Sequence, residues 1–156
     1  LHWNCTLDYL KITSPLEAYK NKTVLVIGAG LGSEAALLAD NNRVDVFELP
    51  GVLRDFCKTR LNGSVNYLPA NDITELIGRY DLIVAIDVFE HIHPDKFSDI
   101  MSNIDELLLH KGELYCHNNF GQQDLYPMHY DHKERFMAWT EQNSIKQQTD
   151  LIWIKE

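Results

Sequence analysis

Val24-Leu25-Val26-Ile27-Gly28-Ala29-Gly30-Leu31-Gly32-Ser33 is the stretch on which the fold turns. Residues 23–27 are β-branched and apolar, as a strand buried on both faces must be. The glycines that follow permit a tight turn and let a ligand approach the backbone where a Cβ would collide. A helix opening at Ser33 then directs its first unpaired N–H groups at that ligand, which favours a carboxylate or phosphate. Glycine turns also follow strands that bind nothing, so the turn needs support from elsewhere in the chain.

Outward from this stretch, apolar runs of strand length alternate with helical patterns. Residues 43–49 read as strand two and 52–61 as the next helix. Residues 65–68 and 81–86 read as strands three and four, with a short helix over 73–77 between them. Phe97, Ile100, Met101, Ile104, Leu107 and Leu108 mark one face of a helix over 96–109 that Gly112 ends, and 113–117 is strand five. Upstream, Ser14, Pro15 and Glu17 supply a cap, a first-turn proline and a capping-box acid for a short helix, and residues 3–12 have helix-compatible spacing. Downstream, Asp131 and Glu134 cap a helix running to about residue 142, and residues 145–154 read as one long antiparallel edge strand. The pattern predicts a doubly wound, mostly parallel α/β sheet with an antiparallel C-terminal edge. The length, 156 residues, predicts a single domain over 1–156, with 1–22 as a helical lead-in and 118–131 as a candidate acceptor loop. That loop holds Gly121 and Pro127 and is too long for a routine connection.

Fourteen basic against twenty-three acidic side chains give a formal charge of −9, which repels a phosphate backbone, and no basic run is free of neutral or acidic residues. Nucleic acid is therefore not an expected partner. Cys5, Cys57 and Cys116 are odd in number and widely spaced, fit neither a disulfide framework nor a CxxC site, and read as reduced cytosolic thiols. Apolar runs such as 82–86 are far too short to span a membrane, and no basic flank with an apolar signal core opens the chain, so a cytoplasmic protein without a membrane partner is expected.

Glu48 closes strand two, twenty residues after Gly28, where a carboxylate can accept both hydroxyls of a ribose. Such a residue also suits NAD, but a dinucleotide fingerprint puts its third small residue at position 33, which is Ser33, whereas the glycines here fall at 28, 30 and 32. Asn71-Asp72-Ile73 follows strand three, where a side-chain acceptor can meet an adenine amino group; Asn and Asp are equally common as turn and cap residues. Asp87-Val88-Phe89-Glu90-His91-Ile92 carries strand four into an acidic, aromatic turn at the sheet edge where doubly wound folds bind ligands.

Together these four ordered motifs, spanning residues 23–117, resemble the class I Rossmann-like S-adenosylmethionine-dependent methyltransferases, especially the small-molecule branch. The resemblance implies a seven-stranded sheet, S-adenosylmethionine as cofactor and a small-molecule acceptor. It implies Gly28, Ala29, Gly30 and Gly32 around the methionine part, Glu48 on the ribose, Asp72 and Ile73 near the adenine, and Asp87 and Val88 beneath the cofactor. Two features depart from the family pattern. Val26 stands where the family often has an acidic residue, and residues 145–154 offer one edge strand where the family has two, Thr149-Asp150 being chemically poor as a hairpin turn.

Methyl transfer needs an aligned nucleophile and in some cases a base for its proton. Imidazoles suit that role, and the candidates are His91, His117, His129 and His132. His117, at the end of strand five, is the first choice because that end faces the cleft; His91 orients the turn after strand four; and His132 reads as solvated at a helix start. Tyr115, Phe120, Tyr126 and Tyr130 can wall an apolar acceptor pocket, which makes Tyr130 the third catalytic candidate. His129, Asp131 and His132 match no metal-ligand spacing, and no metal is expected. A small-molecule methyltransferase leads; an NAD-dependent oxidoreductase and a non-catalytic cofactor-binding module are the alternatives.

Overall fold

Strands β1 (Thr23–Ile27), β2 (Arg43–Phe47), β3 (Asn66–Tyr67), β4 (Tyr80–Ile86), β5 (Leu108–His117), β6 (Ile145–Gln147) and β7 (Ile152–Lys155) form one seven-stranded sheet in the order β3-β2-β1-β4-β5-β7-β6. The structure, a computed structural model, describes residues 6–156; Trp3 and Cys5 lie outside the described residues. Among the described residues, five α-helices pack on this sheet: α1 (Leu7–Thr13), α2 (Ser33–Ala39), α3 (Val52–Arg60), α4 (Pro94–Leu107) and α5 (Lys133–Gln142).

The first five strands are parallel, and β1 pairs with β2 on one side and β4 on the other. The chain thus reverses direction across the sheet at β1, and the crevice at the carboxyl ends of β1 and β4 is the topological switch point where such sheets bind ligands. Alternate β1 side chains feed two cores. Leu25 and Ile27 pack with Phe47, Ile83, Phe97 and Ile104 on one face, Val24 and Val26 with Leu38, Val46, Leu82 and Tyr115 on the other. Both faces are covered, which is why the central strands carry no polar alternation.

Several boundaries differ from the sequence reading. The helix expected at Ser14 is a 3-10 turn over Ser14–Ala18 continuing directly from α1, because Pro15 has no N–H to extend the α-helical ladder. The helix expected over 73–77 is a single 3-10 turn, Ile73–Glu75, with Asp72 Oδ1 accepting from the Thr74 N–H at 3.0 Å. Asp131 does accept from the Lys133 N–H at 3.1 Å, but the residue at the cap of α5 is His132.

The single edge strand expected over 145–154 is two antiparallel strands, with Lys146 opposite Ile154. Thr149 makes the reversal: its hydroxyl accepts from the N–H groups of Leu151 and Ile152 at 3.2 and 3.1 Å. A threonine side chain thereby does the work that an Asn-Gly turn does with positive φ. The sheet accordingly ends in two antiparallel strands.

His132 is also corrected. It is 1% exposed rather than solvated, stacks on Phe97 with ring centroids 4.1 Å apart, and donates from Nε2 to the Ile92 carbonyl at 2.8 Å. Burial lowers its pKa. We expect His132→Ala to destabilise the fold by about 2–4 kcal/mol in urea unfolding, combining a cavity with an unpaired carbonyl. Because the folded-state pKa lies below that of the unfolded chain, the neutral imidazole's contribution is present above about pH 6.5 and is lost below it, as the pH falls through the lower folded-state pKa. His132→Phe should therefore be less acid-sensitive than the native protein in the same measurement.

Candidate active site

Gly28 and Gly30 leave β1 with φ of +68° and +51°, the left-handed region that a side chain makes costly. A Cβ on Gly28 would lie 2.6 Å from Val88 Cγ2, so the turn after β1 and the segment after β4 touch only because residue 28 is glycine. A Cβ on Gly30 would meet nothing nearer than the Gly28 carbonyl at 4.0 Å and would project into open space.

Glu48, one residue beyond β2, holds this turn. Its Oε2 accepts from the Gly30 N–H at 2.7 Å and its Oε1 from the Leu49 N–H at 2.9 Å. Each carboxylate oxygen retains capacity for a further donor. Beneath the turn lies a cavity of about 430 Å³ whose lining includes Gly28, Gly30, Glu48, Asp72, Ile73, Asp87, Val88 and His91, residues from four separated motifs. Phe47, Leu53, Ile92 and Ile100 give it apolar walls.

Ala29 and Gly32 do not line this cavity. Ala29 is buried in the second core, and the Gly32 Cα faces Leu61 and Cys57, where a Cβ would lie 2.8 and 2.9 Å from their side chains. Gly32 thus serves helix packing. Asp72 caps its 3-10 turn and pairs with Lys96 at 2.7 Å; the Lys96 hydrogen bond, aided by Thr74, pulls its pKa down to about 2.

Asp87 has φ of +53°, a conformation Asp tolerates better than most residues. Its N–H donates to the His117 carbonyl at 2.9 Å, and its Oδ1 lies 2.5 Å from His117 Nδ1. That hydrogen bond raises the His117 pKa against the opposing effect of burial. The parallel pairing of Ile86 with His117 sets these two residues side by side. His117 lines a second cavity, of about 530 Å³, at the carboxyl end of β5. Asp87 lines the first cavity and its partner His117 the second.

His91 lines the first cavity, its Nδ1 3.2 Å from the Met128 carbonyl and its ring edge-to-face with His129 at 4.6 Å. Tyr130 lines neither cavity; its N–H donates to the Glu90 carbonyl at 2.8 Å and its ring meets that of His93. The 118–131 loop is thus tied to the turn after β4 chiefly through main-chain atoms.

Sequence reasoning missed two buried carboxylates. Glu90, fully buried, accepts from the Asn119 N–H at 3.0 Å, and Glu34, 8% exposed, accepts from the Tyr9 hydroxyl. Desolvation raises the pKa of both. It also pushes the Cys116 thiol up to about 12, which removes it as a nucleophile at neutral pH. Among the described residues, no group of three His, Cys, Asp or Glu side chains is arranged to hold a metal, and no helix is long and apolar enough to cross a membrane.

No family profile and no curated protein sequence matches the chain. Many solved structures do. The N-methyltransferase NodS from Bradyrhizobium japonicum, in complex with S-adenosylhomocysteine, superposes with a TM-score of 0.75 at 15% identity, covering 95% of this chain and 84% of that one. The 1,6-didemethyltoxoflavin-N1-methyltransferase from Burkholderia thailandensis, bound to 1,6-didemethyltoxoflavin and S-adenosylhomocysteine, gives 0.69 at 16% identity over 98% and 78%. StiE O-MT gives 0.66 at 22% identity over 88% and 50%. The chain has the class I S-adenosylmethionine-dependent methyltransferase fold, with a seven-stranded, mostly parallel sheet and an antiparallel edge.

Proposed function

We propose that this chain, acting as one domain, binds S-adenosylmethionine in the 430 Å³ cavity and transfers its methyl group to a small-molecule acceptor. The observation that carries the reading is the convergence of Gly28, Gly30, Glu48, Asp72, Ile73, Asp87 and Val88 on that cavity at the switch point of this fold. The residues fit the cofactor. The open space above Gly30 admits a ligand against the backbone, Glu48 offers a charged acceptor to ribose hydroxyls, and the walls of Phe47, Ile73, Ile92 and Ile100 suit an adenine. Neighbours of the same fold whose crystals hold S-adenosylhomocysteine support this reading.

S-adenosylmethionine, when bound, would supply an electrophilic methyl group that the acceptor's lone pair would take as the carbon–sulfur electrons return to sulfur. The protein's part is to align the acceptor and to accept its proton. His117 is the candidate proton acceptor, its ring oriented by Asp87 Oδ1 2.5 Å from Nδ1, and the Asp87 charge would stabilise the imidazolium formed. Asp87 thus faces the cofactor cavity and orients the base.

Glu48→Ala should raise the dissociation constant for S-adenosylmethionine by about 10-fold or more in isothermal titration, since the ribose loses a charged acceptor and the Gly30 N–H its anchor. Unchanged affinity in a folded variant would remove Glu48 from the site. NAD should give no heat with the native protein; saturable NAD binding with none of S-adenosylmethionine would favour an oxidoreductase.

A further inference from the structure

Glu90, in the turn after β4, has no exposed surface, and a carboxylate so placed needs either a full set of partners or the loss of its charge. The set of partners is incomplete. Its Oε1 accepts from the Asn119 N–H at 3.0 Å, while Oε2 is buried with no hydrogen-bond partner among the described residues. The Tyr130 N–H donates to the Glu90 carbonyl at 2.8 Å. Both ends of the 118–131 loop therefore grip one residue, Asn119 by its side chain and Tyr130 by its main chain. Between those ends the loop faces solvent: Leu125, Tyr126 and Met128 are each more than half exposed. Tyr126, which the sequence offered as a pocket wall, packs on His129 instead. A compact loop of this kind is placed by what its two ends hold.

We propose that Glu90 is a positioning residue which, as a neutral carboxylic acid, pins both ends of the 118–131 loop and so sets the geometry of the Asp87–His117 pair. The inference rests on the methyl-transfer reading above, in which that pair holds the base. Asn119 follows His117 by two residues, and its Nδ2 lies 3.5 Å from the same Asp87 Oδ1 that His117 Nδ1 approaches to 2.5 Å. Pinning the Asn119 N–H thus fixes where the chain leaves β5 and how the imidazole meets the carboxylate. The neutral form follows from the surroundings. An ionised carboxylate with one donor and no water is costly, and the Asp87 carboxylate nearby adds to the cost. The titratable groups that act on Glu90 or respond to it are Asp87, His91, Cys116 and His117. Burial raises the Glu90 pKa, its own and the Asn119 main-chain N–H oppose that rise, the Asp87 charge adds to it, and His91 opposes it.

The test uses the full chain, isotope-labelled for NMR. In the native protein the Asn119 amide should be protected from hydrogen exchange at least about 100-fold, while that of Asp124, on the exposed part of the loop, is not. Glu90→Gln keeps a carbonyl oxygen for Asn119 and puts a neutral amide where Oε2 stood. It should hold Asn119 protection within about 3-fold of native and the His117 titration midpoint within about 0.2 pH. Glu90→Met removes the acceptor. Asn119 exchange should then quicken at least about 10-fold, Tyr130 exchange should stay within about 3-fold because its acceptor is main chain, and the His117 midpoint should fall towards about 6.5 as the pair loosens. Urea unfolding against pH supplies an independent readout. A folded pKa above the unfolded one means that the Glu90 contribution is full below about pH 4.3 and is lost as the pH rises through the folded value, so Glu90→Gln should gain on the native protein over that interval. An unprotected native Asn119 amide, a Glu90→Gln midpoint displaced as far as that of Glu90→Met, or no gain of Glu90→Gln with rising pH overturns the proposal. The first and last of these hold even where Glu90→Met does not fold. Failure of the methyl-transfer reading has a different signature: S-adenosylhomocysteine gives no heat with the native protein in titration calorimetry, and the exchange and unfolding results stand.

Discussion

Gly30→Val should yield a folded protein with no measurable affinity for S-adenosylmethionine, a loss of at least about 100-fold in dissociation constant. The new side chain meets no protein atom within contact distance, because the nearest heavy atom to a Cβ there is the Gly28 carbonyl oxygen at 4.0 Å. It occupies the space against which the ligand must lie. The fold bears a cost of about 1–2 kcal/mol for a β-branched residue at φ of +51°, so the melting temperature should fall by several degrees without loss of cooperativity. Gly32→Val is the contrasting variant. Its side chain collides with Leu61 and Cys57, so it should fail by unfolding rather than by excluding the ligand. Retained cofactor affinity in Gly30→Val would refute the glycine-turn site altogether.

Much of this arrangement was legible because it depends on short-range pattern. The run 23–33 contains its own strand, turn and helix start, and parallel topology brings every strand's carboxyl end to the same edge. Glu48, Asp72 and Asp87 were therefore assignable to one edge by counting from strand ends. What stayed hidden depends on contacts made far along the chain. His132 reads as a surface residue until α4 delivers Phe97 against it, 35 positions earlier in the sequence. The division of labour within the glycine turn was equally invisible: Gly28 and Gly30 face the first cavity while Gly32 faces Cys57 of α3 and Leu61 just beyond it. Thr149-Asp150 looked poor as a hairpin turn on backbone preference, and a side-chain hydroxyl supplies what the backbone lacks. The His117–Asp87 contact follows from the β4–β5 register, which no local pattern states. The second cavity needs β5, β7 and α5 in place before its aromatic residues meet.

On the proposed function, His117→Ala should lower methyl-transfer turnover about 10² to 10⁴-fold, the loss that accompanies removal of a general base. Cofactor affinity should stay within about 2-fold, since His117 does not line the cofactor cavity. Tyr130→Ala should change turnover by less than about 3-fold, because the tyrosine's tie to the turn after β4 is its main-chain N–H, which alanine keeps. The pH profile carries the sharper test. The Asp87 hydrogen bond raises the His117 pKa, so a larger share of the imidazole is protonated near neutral pH and unable to act as a base. Turnover should therefore rise with pH and level off only above that raised value. Replacing the carboxylate by Asp87→Asn should move this acidic limb to lower pH while also weakening the cofactor, a combined change in kcat profile and KM that a purely structural role would not produce. Stability runs the other way. A folded pKa above the unfolded value means that the His117–Asp87 pair contributes fully below about pH 6.5 and is lost as pH rises through the folded pKa. The difference in unfolding free energy between the native protein and His117→Ala should thus shrink as the pH is raised, over the same interval in which turnover is expected to rise. Equal, small effects on turnover from His117→Ala and Tyr130→Ala, with no shift of the acidic limb in Asp87→Asn, would reduce the pair to scaffold.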